Sequence, residues 1–165
     1  TRLTDQTIQV LNLADPDFQK REEALRSSLD TLIAVNVLKH IQHDQLAIQN
    51  ALSLLKSGGN LILLVPAHHW LQNPLDHHLH HYRRYTRKTI VSLCKSTGGN
   101  MISCRYFNFL GAIGWFLFGN MLRYTSLKSW QVRGFDVLTP FAKWLDSIIS
   151  NAFGLSLIAV IRKSE

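Results

Sequence analysis

At 165 residues with 46% apolar content, the chain is long enough for one domain with a real core and too apolar for a disordered polypeptide. Its formal charge of +7 is concentrated at Arg83–Lys88 and Arg123–Arg133. That balance points to phosphorylated substrates or an acidic membrane face; nucleic acid is not expected, because the basic residues are not interleaved along a long face with a known module. Two cysteines, Cys94 and Cys104, form neither a disulfide framework nor a zinc knuckle and read as reduced core thiols of a cytoplasmic protein.

The chain starts at Thr1 with no signal pattern behind it, so the start reads as a cut through a longer protein. Thr7–Leu13 alternates like a strand and is followed by turn residues at Ala14–Asp17. Phe18–Ser28 reads as a short helix, and Leu29–Val35 as a strand covered on both faces. Asp44–Leu55 has helical spacing and stops at Ser57-Gly58-Gly59, before a buried strand at Asn60–Val65. Ala67–Arg87 is rich in His, Arg and Tyr and has no clear period; Pro74 argues for loop geometry there. Thr86 caps a helix over Arg87–Ser96, and Asn100–Phe107 is a strand. Tyr106–Leu122 is the longest apolar stretch. Its three glycines and two asparagines exclude a spanning helix and leave two readings, a buried helix over the sheet and, less favoured, a surface helix docked on a membrane. An amphipathic stretch at Pro140–Ile149 and a strand at Leu155–Ile161 complete a single α/β domain, in which residues 105–150 form an aromatic insertion or lid.

Three segments carry a family resemblance. Asp30 to Ile41 (DTLIAVNVLKHI), Leu54 to Pro66 (LLKSGGNLILLVP), and Trp70-Leu71 through Asp76 with His81-Tyr82-Arg83-Arg84-Tyr85-Thr86 resemble, in this order, class I S-adenosylmethionine-dependent methyltransferases. The third segment is similar to a small-molecule subgroup associated with polysaccharide and cell-envelope biosynthesis. The resemblance implies a partial Rossmann-like α/β sheet, mainly parallel with an antiparallel last strand. It also implies S-adenosyl-L-methionine as cofactor. Neither the family's glycine-rich turn nor its ribose-binding acidic residue is present, so the resemblance implies an N-terminally truncated member.

Carried over by position, Asn12 and Leu13 would flank the adenine, Asn36, Val37 and His40 the methionine side, and the stretch after Pro66 the methyl acceptor. His69, Trp70, Arg83, Arg84 and Tyr85 are the candidate acceptor contacts, with the arginines suited to clamping a phosphate. A hydroxyl acceptor needs a base, for which His81 is the first candidate by its place in the third segment, and His68 and Tyr82 qualify by type. No metal is expected: the histidines of residues 68–81 have no cysteine nearby and Asp76 as their one carboxylate, and Asn36 and Lys39 occupy the positions where related quinone methyltransferases carry carboxylates. The function implied is methyl transfer to a saccharide, lipid-linked or quinone-like acceptor, incomplete in the residues given. The alternative is a noncatalytic remnant acting as a binding or scaffold module. With the first two family strands missing, Thr7–Leu13 is expected to pair directly with Leu29–Val35 or to leave an apolar edge open to self-association. Localisation is expected in the cytoplasm or at the inner face of a membrane.

Overall fold

The computed structural model describes residues 10–124, Asp146, Ile148 and 152–164. Helix α1 (Phe18–Arg21) and a tight turn at Glu23–Leu25 precede strand β1 (Leu29–Val35). Helix α2 (Asp44–Leu54) then runs directly into β2 (Leu55–Pro66). The short helix α3 (Pro74–His78), helix α4 (Arg87–Ser96) and strand β3 (Gly99–Phe107) follow. Helix α5 (Phe109–Trp115) continues into a wider π-type turn at Phe116–Met121, and β4 (Ser156–Lys163) is the last strand.

The four strands lie in the order β1-β2-β4-β3. β1 and β2 are parallel, and β4 runs antiparallel between β2 and β3. The last strand, expected at Leu155–Ile161 and antiparallel, has that place and direction. Because β2 and β3 both oppose β4, the carboxyl ends of β1, β2 and β3 and the amino end of β4 share one edge of the sheet.

One face of the sheet carries the core. Leu61, Leu63 and Val65 pair with Ile161, Ala159 and Leu157, and all six pack under Ala47, Ile48, Ala51 and Leu52 of α2 and Ile90 and Cys94 of α4. Period-2 alternation puts Ile33, Val35, Ile62, Leu64, Ile158 and Val160 on the other face. Four of these are half-buried, while Ile33 is 64% and Val35 54% exposed. Leu29–Val35 is therefore covered on one face only, against the expectation of cover on both.

Other expectations also change. Ser57-Gly58-Gly59 does not terminate α2; Leu55 already opposes Leu29, Asn60 opposes Thr31, and the residues between loop out as a bulge. Gly58 turns this bulge at φ +73°, and a side chain on Gly59 would press on the carbonyl oxygens of Lys56 and Asp30 at 3.0 and 3.1 Å. Of Thr7–Leu13, residues 7–9 lie outside the described residues, and Val10–Leu13 form no strand and do not pair with β1. Local turn bonds win there: the Asn12 amide oxygen accepts from Ala14 N at 3.1 Å and its carbonyl from Asp15 N at 3.1 Å, while Asn50 Nδ2 donates to the Leu13 carbonyl at 3.0 Å. The Pro140–Ile149 expectation lies outside the described residues except for Asp146 and Ile148. Among the described residues no helix is long and apolar enough to cross a membrane.

Entry to β4 depends on Gly154, where a Cβ would collide with the backbone of Phe107. Gly154→Ala is expected to lower unfolding free energy by about 2 kcal/mol, as overpacking against rigid backbone does. Urea denaturation of the variant and the parent measures this directly.

Candidate functional site

The site begins with a carboxylate that has no solvent. Asp76, 0% exposed, sits in the first turn of α3, where Pro74 occupies the first helical position and Asn73 the cap. Asn73 Oδ1 accepts from Leu75 N at 2.9 Å, and Asp76 Oδ2 reaches back to Asn73 N at 3.2 Å. The loop expected around Pro74 is thus a short helix, and the Asn-Pro-x-Asp spelling of this capping box is the sequence signal that identifies it.

Two cations or donors converge on that carboxylate. His81 Nδ1 lies 2.8 Å from Asp76 Oδ1, and Arg84 Nε donates to Oδ2 at 2.9 Å. The His81 backbone N–H also donates to the Asp76 carbonyl, at 2.9 Å. With Nδ1 donating to Asp76, the neutral imidazole keeps its lone pair on Nε2, the tautomer a proton acceptor needs. Burial lowers the His81 pKa below its ordinary value, against the opposing pull of the Asp76 hydrogen bond, and Lys39 lowers it further. The neighbouring His40 ring meets His81 edge to face at 5.1 Å, and its Nδ1 sits 3.2 Å from the His80 carbonyl. Burial likewise lowers the Lys39 pKa, with Asp76 raising it and Arg84 lowering it.

Arg84, 2% exposed, links this cluster to a second one. Its Nη1 donates to the Ala67 carbonyl at 3.1 Å, and its guanidinium lies 4.9 Å from the centre of the Trp115 ring. Just past Ala67, His68 takes φ +62°, a left-handed conformation held by its N–H donating to the Tyr85 carbonyl at 2.8 Å. Its imidazole stacks with Tyr106 at 4.8 Å and with Phe153 at 4.5 Å. Trp70 stacks on Phe153 at 6.0 Å and meets Phe116 edge to face. His68 Nε2 is buried with no hydrogen-bond partner among the described residues. Burial and then Arg84 lower the His68 pKa, and a hydrogen bond to the Gly154 backbone raises it in part.

The expected site residues divide accordingly. His81, Arg84 and His40 are brought together around Asp76, and His68 and Trp70 around the aromatic stack. Arg84 is interior, so its fork holds Asp76 instead of a phosphate. Arg83 donates to Asp44 Oδ2 at 3.0 Å and to the Gln42 carbonyl at 2.7 Å. Tyr85, 1% exposed, has its hydroxyl 3.2 Å from Asp44 Oδ2 and 3.3 Å from the Leu38 carbonyl, and burial raises its pKa. Tyr82 and His69 are exposed. Asn36 turns the chain out of β1 at φ +57°, with Val37 exposed beside it, and Leu13 packs on the core. Among the described residues no three His, Cys, Asp or Glu side chains are placed to hold a metal ion. Sequence reading missed Asp76, Asn73, Tyr106 and Phe153 as parts of the site.

The insertion docks on this edge. Asn73 Nδ2 donates to Asn120 Oδ1 at 2.9 Å, and Asn120 Nδ2 to the Trp70 carbonyl at 3.4 Å. At its other end, the Asp146 carboxylate accepts from Asn108 N and Phe109 N at 3.0 and 2.7 Å, capping α5.

No protein-family model matches the chain, and no curated protein matches it in sequence. Solved structures do match in fold. A SAM-dependent methyltransferase from Thermotoga maritima superimposes with TM-score 0.55 at 12% identity, over 84% of this chain and 58% of that one. The CurJ carbon methyltransferase matches with TM-score 0.53 at 12% identity, over 95% and 35%. The cyclase SpnF matches with TM-score 0.52 at 12% identity, over 94% and 55%. The chain therefore has the Rossmann-like fold of class I methyltransferases and spans 35 to 58% of the length of these three. The cyclase shows that this fold also carries other chemistry.

The lowered histidines set a pH dependence. Above about pH 6.5, the ordinary histidine value, His68 and His81 are neutral in both folded and unfolded chains. As pH falls below that value, the unfolded chain binds protons that the buried rings resist, so stability falls until their folded pKa values are passed. The melting temperature is expected to drop between about pH 6.5 and 5, and His68→Phe to flatten that slope. A second expectation concerns the pair beneath: Asp76→Asn strands the buried Arg84 charge and costs about 3 kcal/mol in urea denaturation.

Proposed function

We propose that this chain is the acceptor-side part of an S-adenosylmethionine-dependent methyltransferase acting on a small hydroxyl-bearing molecule. The observation that carries the reading is the Asp76–His81 pair, placed on a methyltransferase fold at the edge where three strands end. In open α/β sheets that edge is where ligands bind.

The residues present fit the methionine side of that cofactor and little more. Asn36 and Val37 stand accessible past β1 with His40 beyond them, so these three would hold it. Asn12 fits the adenine poorly, because its amide oxygen already accepts from Ala14 N. When bound, S-adenosylmethionine supplies an electrophilic methyl group on a sulfonium. The work of this chain is to hold an acceptor in line with that methyl and to take its proton. Asp76 fixes the His81 tautomer and ring, and burial keeps the imidazole neutral, so that Nε2 can receive the hydroxyl proton as the acceptor oxygen attacks. The Trp70 and Phe116 rings, set edge to face, offer an apolar corner for the body of the acceptor. A lipid-linked sugar or a quinol combines such a body with a hydroxyl, which fits the envelope-associated resemblance.

A noncatalytic binding module is the second reading, favoured by the exposed Ile33 and Val35 face of β1. Cofactor binding and turnover separate the two. In the enzyme reading, the chain as given binds S-adenosylhomocysteine with a dissociation constant near or weaker than about 0.1 mM, roughly 5.5 kcal/mol, by calorimetric titration. Complete lack of binding at millimolar ligand favours the module, and micromolar binding refutes the assignment of so small a share of the cofactor site to these residues. In a version extended to cover the full methyltransferase fold, His81→Ala is expected to cut turnover about 100-fold with little change in cofactor affinity. Wild-type turnover by that variant across neutral pH makes His81 structural.

A further inference from the structure

The segment Phe109–Met121 is packed inside out. A helix against a core buries its large apolar side chains and exposes polar ones. Here the fully buried positions are the smallest residues of the segment, Gly111, Ala112, Gly114 and Gly119, and of the large ones Trp115 turns inward over Arg84. A side chain at Gly119 would collide with Asn73, so the close approach is required. Outward, at helical spacing, stand Ile113, Phe116 and Leu117, then Met121 and Leu122, each between 40 and 63% exposed. Exposed Trp70 adjoins Phe116. A continuous row of large aliphatic and aromatic side chains therefore faces outward from the site edge.

The flanking sequence is strongly basic. Positions 77 to 135 contain nine Lys and Arg and no Asp or Glu, in a chain whose total is +7. Arg83 and Arg84 are engaged by Asp44 and Asp76, but Arg123 is exposed directly beside Leu122. An apolar helical face with an exposed arginine at its end, set in a basic stretch of sequence, matches an anionic lipid surface, where the large side chains enter the acyl boundary and the cation meets headgroups. A second copy of the chain would instead bring like charge against like charge.

We propose that the Ile113–Phe116–Leu117–Met121–Leu122 face docks the protein on anionic membrane surfaces, lying in the interface without crossing it. The docking needs neither cofactor nor turnover, so vesicle binding reads it apart from methyl transfer even though Phe116 also borders the proposed acceptor side.

Vesicle sedimentation of the whole chain tests this, with pure phosphatidylcholine compared against phosphatidylcholine containing about 30% phosphatidylglycerol. The expected result is sedimentation with the anionic vesicles, weakened by high salt, and reduced at least about tenfold by Phe116→Glu with Leu117→Glu. Circular dichroism checks that the double variant is folded; if it is not, Met121→Glu with Leu122→Glu replaces it on the same face. Failure of the parent to sediment with anionic vesicles overturns the proposal, as does undiminished binding by a folded double variant. So does a stable dimer in solution that the double variant converts to monomer, because the face then belongs to a second copy.

Discussion

The carboxylate of Asp76 is removed from water and must be matched from within the protein, and much of the site edge is built by that matching. A buried carboxylate without partners costs several kcal/mol. Here Asn73 N, His81 Nδ1 and Arg84 Nε all reach it. Those bonds fold the stretch after β2 back on itself, so that Tyr85 N can donate to the Pro66 carbonyl at 2.8 Å and His68 N to the Tyr85 carbonyl. The excursion thus leaves and rejoins the end of β2 at one point, and the left-handed turn at His68 is held by this closure.

Arg84 carries the same constraint outward. One guanidinium satisfies the carboxylate, binds the Ala67 carbonyl and lies over Trp115, so the acid–base cluster, the strand end and the insertion share a single side chain. Burial is the main cause that holds the His81 and His68 pKa values down, with Arg84 adding to it at His68 and Lys39 at His81. Stability and readiness to accept a proton therefore draw on one arrangement.

The central strand was legible because a buried parallel strand is spelled as an unbroken aliphatic run, as in Leu61–Val65, and Leu29–Val35 was found by its apolar content although one of its faces is exposed. Thr86 announced α4 because its hydroxyl caps Thr89 N at 3.2 Å. The site was less legible for a physical reason. Arg83 and Arg84 are adjacent and chemically alike, yet one is tied to Asp44 on α2 and the other to Asp76 on α3. Arg83 and Asp44 are 39 residues apart and leave no local pattern. Gly58-Gly59 misled in the other direction: a helix stop and a strand bulge need the same positive-φ residue, and only the pairing of Leu55 with Leu29 tells them apart. Asn12 looked like the end of a strand, but Asn and Asp near a turn hydrogen-bond their own backbone.

The reversed direction of β4 has a consequence for how this edge can change over generations. A parallel last strand would have to be entered from the far end of the sheet, and whatever preceded it would have to cross the molecule. Because β4 is entered beside the exit of β3, with Leu155 N donating to the Asn108 carbonyl at 3.0 Å, the chain leaves and rejoins the sheet at a closed neck. A segment attached in that way can be lengthened, shortened or exchanged with the strand registers left as they are. The aromatic insertion is thus the replaceable part of a fixed frame, free to follow a changing ligand while the sheet beneath it stays the same.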